Sequence, residues 1–238
     1  MSSAIEFDKD DPEDCYNWPL GKAPCFIGLD LAFVHDRTAL AIISVHAVSG
    51  IPILAQRTAK VFDEGASAEE ITKTVLHEAT MYQAKVVIDA TNNLGFVGAI
   101  ASRFGREAAN RVIAVNITSS IDDALTPVPF AVDVAGVRLN LPRFSLSRSK
   151  LFERLVGEVG SKTIRLSKHG DAAILREQIG AIEMIDGAGK RKFDHPENGF
   201  DDAVVATGLA AWAARRLASS NTRQTRKGSV PFTSAAWT

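Results

Sequence analysis

The stretch CFIGLDLAFVHDRTALAII, residues 25–43, sets one carboxylate, Asp30, in the middle of a run that is otherwise apolar and strand-like. A charge buried in a strand costs several kcal/mol unless something compensates it. A metal ion, a bound phosphate loop and a buried hydrogen-bond network are the three available answers. Between Leu29 and Leu31, Asp30 has no local backbone donor to cap.

Working outward, CFIGLDL and TALAIISVHAV flank the polar turn FVHDR, and IPILAQRTAKVF follows as a third strand, so the chain opens as an antiparallel meander. SAEEITKTVLHEATMYQ carries Ser67 and Glu70 in a capping-box arrangement, with Ile71, Val75, Leu76 and Ala79 at helical spacing. AKVVIDA is a short apolar strand ending in Asp89, LGFVGAIASRFG turns helical, and RVIAVNI is another buried strand. This strand, helix, strand order predicts parallel pairing with right-handed crossovers.

From Thr118 to Leu146 the pattern loosens, and Pro127, Pro129 and Pro142 punctuate a hairpin, FAVDVAGVRLNLP, which reads as an insertion over the domain. A helix SRSKLFERLVGEVG, a strand TIRLS, a helix DAAILREQIGAI and a hairpin around DGAGKRKFD come next. The closing helix, FDDAVVATGLAAWAARRLA, has an Ala- and Gly-rich surface suited to close packing on a sheet. The fold class is therefore α/β, a mixed sheet whose first three strands are antiparallel and whose later strands are parallel, with helices on both faces.

The bulk composition bounds the function. With 238 residues, 46% hydrophobic and 23% charged, the chain is globular in class, and its net charge of -1 leaves any nucleic-acid contact to local Lys/Arg patches. Two cysteines, Cys15 and Cys25, make neither a disulfide framework nor a four-ligand zinc site. With no signal peptide and no long apolar run, a cytoplasmic location and no membrane association are expected. Residues 1–24, acidic and without period, read as a linker or N-terminal arm, residues 25–218 as the domain, and residues 219–238 as a flexible tail.

Three carboxylate stations stand where elements end or begin: Asp30, Asp89, and the pair Asp201 and Asp202. Parallel pairing would bring Asp30 and Asp89 to one edge of the sheet, and the last helix would carry Asp201 and Asp202 there. Carboxylates from separate elements suit magnesium or manganese, two of which can activate water and stabilise the leaving oxygen of a phosphodiester. The plainer readings are that Asp89 caps the helix beginning near Leu94 and that Asp201 or Asp202 caps the last one.

GLDLAFVHDRTALAII resembles the first strand and turn of the RNase H-like nuclease domain of tailed-phage large terminase subunits, a G-x-D-x-A segment leading to D-x-[ST]-A. Here these are Gly28, Asp30 and Ala32, then Asp36, Thr38 and Ala39. VVIDATNNLGFVGAI resembles the family's second acidic strand, and GFDDAVVATGLAAWA its closing helix, in which an acidic pair opens an Ala-rich run. The likeness runs from about Cys25 to Leu217 and includes the intervening helix SLSRSKLFERL.

The resemblance implies Asp30, Asp89 and Asp202 as catalytic metal ligands, with Asp201 an additional ligand, around two Mg2+ or Mn2+ ions. It implies a divalent-metal-dependent endodeoxyribonuclease that cuts concatemeric double-stranded DNA with little sequence specificity. Phosphate contacts would come from Arg37, Arg143, Arg148, Lys150, Lys190, Arg191 and Lys192. The expected partners are DNA, a terminase ATPase domain, a small terminase subunit and a portal, in a host cell, the gene belonging to a phage or prophage. Two departures stand out. Phe200 occupies the position where the family often has His, and His195, a few residues earlier in the loop DHPENG, reads as an exposed loop residue, a reach to the metals being the alternative. No G-x-x-x-x-G-K-[ST] loop is present, since GAGKR at Gly187 to Arg191 has the wrong spacing, so no ATP hydrolysis is expected. The chain reads as a nuclease domain without its motor, residues 1–24 being the remains of an interdomain linker. A Holliday-junction-resolvase-like nuclease and a non-catalytic docking module of the packaging motor are the alternatives; an actin-like ATPase would need a second phosphate loop, which DATNNLG does not provide.

Overall fold

The computed structural model describes residue 15 and residues 18–31, 37–120, 122–187, 190–195 and 200–225. In chain order the elements are β1 (Cys25–Asp30), β2 (Ala39–Val48), β3 (Ile51–Val61), α1 (Ala68–Met81), β4 (Lys85–Asp89), α2 (Leu94–Phe104), α3 (Ala108–Arg111) and β5 (Val112–Thr118). β6 (Ala124–Val134), β7 (Val137–Ser147), α4 (Arg148–Gly160), β8 (Ile164–Arg165), α5 (Ala172–Gly180), β9 (Glu183–Gly187), β10 (Lys190–Asp194) and α6 (Asp202–Thr225) complete them.

Eight strands form one sheet in the order β6-β7-β5-β4-β1-β2-β3-β8, and β9 pairs with β10 separately. β1, β2 and β3 form the expected antiparallel meander. β4 and β5 add beside β1 in parallel, as the strand, helix, strand pattern requires. The strand period of two sends alternate residues to opposite layers. Phe26, Val87, Ile113 and Phe144 pack with α4, α5 and α6 on one face. Ile27, Leu29, Val86, Ile88 and Ala114 pack with α1 and α2 on the other. The predicted capping of α1 is present, the Ser67 hydroxyl accepting from the Glu70 N–H.

The segment from Thr118 to Leu146 differs from its sequence reading. It is a hairpin, but it extends the sheet instead of lying over it, because β7 pairs in parallel with β5 and leaves β6 at the edge. β7 can join the interior since it buries Leu141 on one face and Phe144 and Leu146 on the other. Its turn, Ala135 and Gly136 at φ of 49° and 78°, has the left-handed backbone that a two-residue hairpin needs.

The two flanking segments also carry structure. In the stretch read as an arm, Cys15 is buried, its Sγ donating to the Gln56 carbonyl, while Arg57 Nη1 donates to the Cys15 carbonyl at 2.7 Å. Trp18 packs edge-to-face on His46 at 5.3 Å. At the other end, α6 continues to Thr225, through the first residues of the stretch read as a tail, and residues 226–238 lie outside the described ones. Among the described residues no helix is long and apolar enough to cross a membrane.

A carboxylate edge as candidate metal centre

β1, β4, β5 and β7 run parallel, so their C-terminal ends share one edge of the sheet. Leu29 is in register with Ile88, and one residue further on each strand stand Asp30 and Asp89. Gly28 faces α6 and Val87 belongs to the same layer; two residues beyond them, Asp30 and Asp89 fall on that face as well. Both carboxylates are half-buried.

Asp89 is held by its own strand end. Its Oδ1 accepts from the Thr91 N–H at 2.8 Å, and the Thr91 hydroxyl accepts from the Ile117 N–H at 2.8 Å. Burial pushes the Asp89 carboxyl above its ordinary range, against the pull of hydrogen bonds from Thr91 and Ile117 and of the Arg148 charge. The plainer reading of Asp89 as a helix cap fails: α2 begins after Asn93, and the Asp89 bond goes to Thr91.

The third station comes from α6. Asp201 and Asp202 are buried, 6% and 1% exposed, which is rare for carboxylates. Asp201 stands directly before α6 and Asp202 lies in its first turn, the positions that the capping reading assigns them. The Ala203 and Val204 N–H groups donate to Gln178 Oε1 on α5 at 3.0 and 3.4 Å, and the Val205 N–H donates to the Asp201 backbone carbonyl at 2.8 Å. A buried glutamine from another helix thus supplies an acceptor to the first turn of α6.

Around the acids sits a set of cations. Arg148, the first residue of α4, pairs through Nη2 with Asp201 Oδ2, and its Nε lies 3.7 Å from Asp194 Oδ1. Asp194 also takes Lys192. Burial alone would raise the Asp194 carboxyl, but hydrogen bonds from Lys192 and the His195 N–H, with the Lys192 and Arg148 charges, hold it below the ordinary range. His195 corrects its reading as an exposed loop residue: its side chain is 22% exposed, with Nε2 3.8 Å from Asp201 Oδ2. The β9–β10 hairpin brings it there by docking on α4, the Phe193 N–H donating to Ser149 Oγ at 2.9 Å.

The remaining basic candidates scatter. Arg37 stacks over the exposed Phe200 ring at 5.7 Å, beside the acidic pair in sequence. Arg143 lies over Phe130 at 5.9 Å, and Lys150 pairs with Glu153 at 3.1 Å. Lys190 and Arg191 belong to β10 by backbone. Ala32 and Asp36 of the first motif lie outside the described residues. Sequence reasoning missed Gln178 and Asp194, since a lone glutamine in a helix and an aspartate ending a hairpin carry no pattern.

Among the described residues no three His, Cys, Asp or Glu side chains close into a finished metal cluster. The expected group of Asp30, Asp89, Asp201 and Asp202 is thus not gathered as one, and Asp201 is taken up by Arg148. The donor chemistry still fits a hard divalent cation: carboxylate oxygens from β1, β4 and α6 at one end of the sheet.

The fold is that of terminase nuclease domains, the RNase H-like arrangement that the sequence resembles. The large terminase nuclease from thermophilic phage G20c superposes with a TM-score of 0.50 at 14% identity, over 81% of this chain and 83% of that one. The human cytomegalovirus terminase nuclease domain gives 0.51 at 14% identity, over 80% and 82%. The manganese-soaked, inhibitor-bound form of that domain gives 0.50 at 13%, over 84% and 88%. No protein-family model and no curated protein sequence matches the chain.

Proposed function

We propose that this chain is the nuclease domain of a DNA-packaging terminase, a divalent-metal-dependent endodeoxyribonuclease acting on concatemeric DNA. The observation that carries the reading is the adjacency of Asp30 and Asp89 on neighbouring parallel strand ends, with the buried Asp202 entering from α6 on the same face. Asp30, Asp89 and Asp202 would hold the ions, which would be Mg2+ or Mn2+. Bound there, divalent ions supply Lewis-acid stabilisation of the phosphodiester and lower the pKa of a water.

The chain's own residues do the rest. Asp30 and Asp89, on adjacent strands of a rigid sheet, fix the positions of their oxygens without loop adjustment. Asp201 is the poorer ligand, since Arg148 engages its carboxylate. Arg37, Arg143 and Lys150 contact DNA phosphates, which gives affinity with little base readout. Within a motor, a terminase ATPase domain, a small subunit and a portal would present the DNA.

Incubating supercoiled plasmid with the chain in manganese, magnesium or EDTA, beside Asp30→Asn, tests this. Metal-dependent, sequence-tolerant cutting that Asp30→Asn abolishes is the expected result. No cutting by folded protein at high enzyme and manganese would remove the enzymatic reading of the isolated chain and leave a docking module or a nuclease that works only inside its motor.

A further inference from the structure

Arg148 occupies a place that helix electrostatics disfavours. It is the first residue of α4, where the positive end of the helix dipole opposes a cation, and that first turn holds no acidic residue. Ser147 caps the helix through its hydroxyl, so Arg148 is not required for capping. Its guanidinium instead turns to the carboxylate edge, paired with Asp201 and 3.7 Å from Asp194. Its stem lies against Phe152, with Cζ 5.5 Å from the ring centre. Because β7 ends on the same edge as β1 and β4, the charge also acts on Asp89.

We propose that Arg148 is a resident counter-ion of the carboxylate edge, which offsets part of its negative charge in the metal-free protein and competes with divalent cations for it. The inference rests on the reading of Asp30, Asp89 and Asp202 as the ligands. A fixed unit charge beside a divalent site lowers cation affinity through Coulomb repulsion and occupies an oxygen that could otherwise turn to the ion. In return it lowers the repulsion among Asp89, Asp194 and Asp201 before metal arrives. In the presence of DNA, an arginine released by the incoming cation would lie next to the bound phosphates, for which its planar fork is suited.

The experiment is calorimetric titration of Mn2+ into the full chain at low ionic strength, for the wild type, Arg148→Gln, Arg148→Lys and Asp30→Asn. Arg148→Gln should bind Mn2+ on the order of ten-fold more tightly, as expected for removing a charge several ångström away. Arg148→Lys, which keeps the charge, should stay within about two-fold of wild type by the same argument. Should the glutamine variant fail to fold by circular dichroism, Arg148→Met keeps the apolar stem over Phe152 and carries the same expectation. Unchanged or weaker binding in the neutral variants, with Asp30→Asn still abolishing it, overturns the counter-ion inference alone. Binding that Asp30→Asn leaves intact, or no binding in any variant, overturns the ligand assignment and the inference with it.

Discussion

Gly28 of β1 and Ala206 of α6 touch backbone to backbone: a Cβ on Gly28 would collide with the Ala206 carbonyl oxygen and lie 2.8 Å from the Ala210 N–H nitrogen. The helix rides directly on the strand because neither surface carries bulk, and Gly208, two residues along the helix, gives Leu151 of α4 the same room. This contact sets the height of the site, since Asp30 lies two residues beyond Gly28 and Asp202 one helical turn before Ala206. Gly28→Ala must therefore push α6 off the sheet. Stability should fall by about 1–3 kcal/mol, measured by urea unfolding, and plasmid cutting should fall further than the folded fraction does.

The first turn of α6 is met by an acceptor from another helix. Gln178 is 8% exposed and accepts from two first-turn N–H groups. Gln178→Ala leaves those buried donors without that acceptor and should cost about 1–2 kcal/mol. Thermal unfolding in EDTA, compared with a control on the same helix such as Glu177→Ala, is the check.

Burial works against the charged form of Asp89, whose folded pKa is raised, so its charge costs stability above the unfolded value. Asp89→Asn removes the charge and keeps the oxygen that accepts from Thr91. The variant should therefore raise the melting temperature in EDTA while losing manganese-dependent stabilisation and plasmid cutting. A melting temperature below wild type would show that the carboxylate is structural.

Both thiols are buried, and burial pushes the Cys25 thiol up to about 11. Ellman's reagent at pH 8 should modify neither cysteine in the native protein and both after unfolding. Fast reaction of Cys15 alone would mean that the segment before β1 leaves its place against Gln56 and Arg57 in solution.

Asp194 is held below the ordinary carboxylate range in the folded protein. A depressed folded pKa means that its contribution is complete above the unfolded value of about 3.9 and is lost as pH falls through the folded value. Urea midpoints of wild type and Asp194→Asn should differ most above about pH 4.5 and converge toward about pH 2.

Local pattern carried most of the fold. Period two in CFIGLDL and AKVVIDA, period 3.6 after Ser67, and the alternation of strands with helices are properties of neighbouring residues, so strands, helices and parallel pairing follow from chain order. The same pattern made Asp30 conspicuous and put Asp89 at a strand end beside it. The partners of the site arise otherwise. Gln178 meets Ala203 across 25 residues of chain, Cys15 meets Gln56 across 41, and Arg148 meets Asp201 across 53. None of these pairs shares an element, and each forms because tertiary packing of separate segments brings together groups whose spacing in sequence has no period. Whether Asp201 turns toward a cation or a guanidinium, and whether the hairpin after β5 covers the sheet or extends it, therefore depends on which surfaces the folded layers bury against one another.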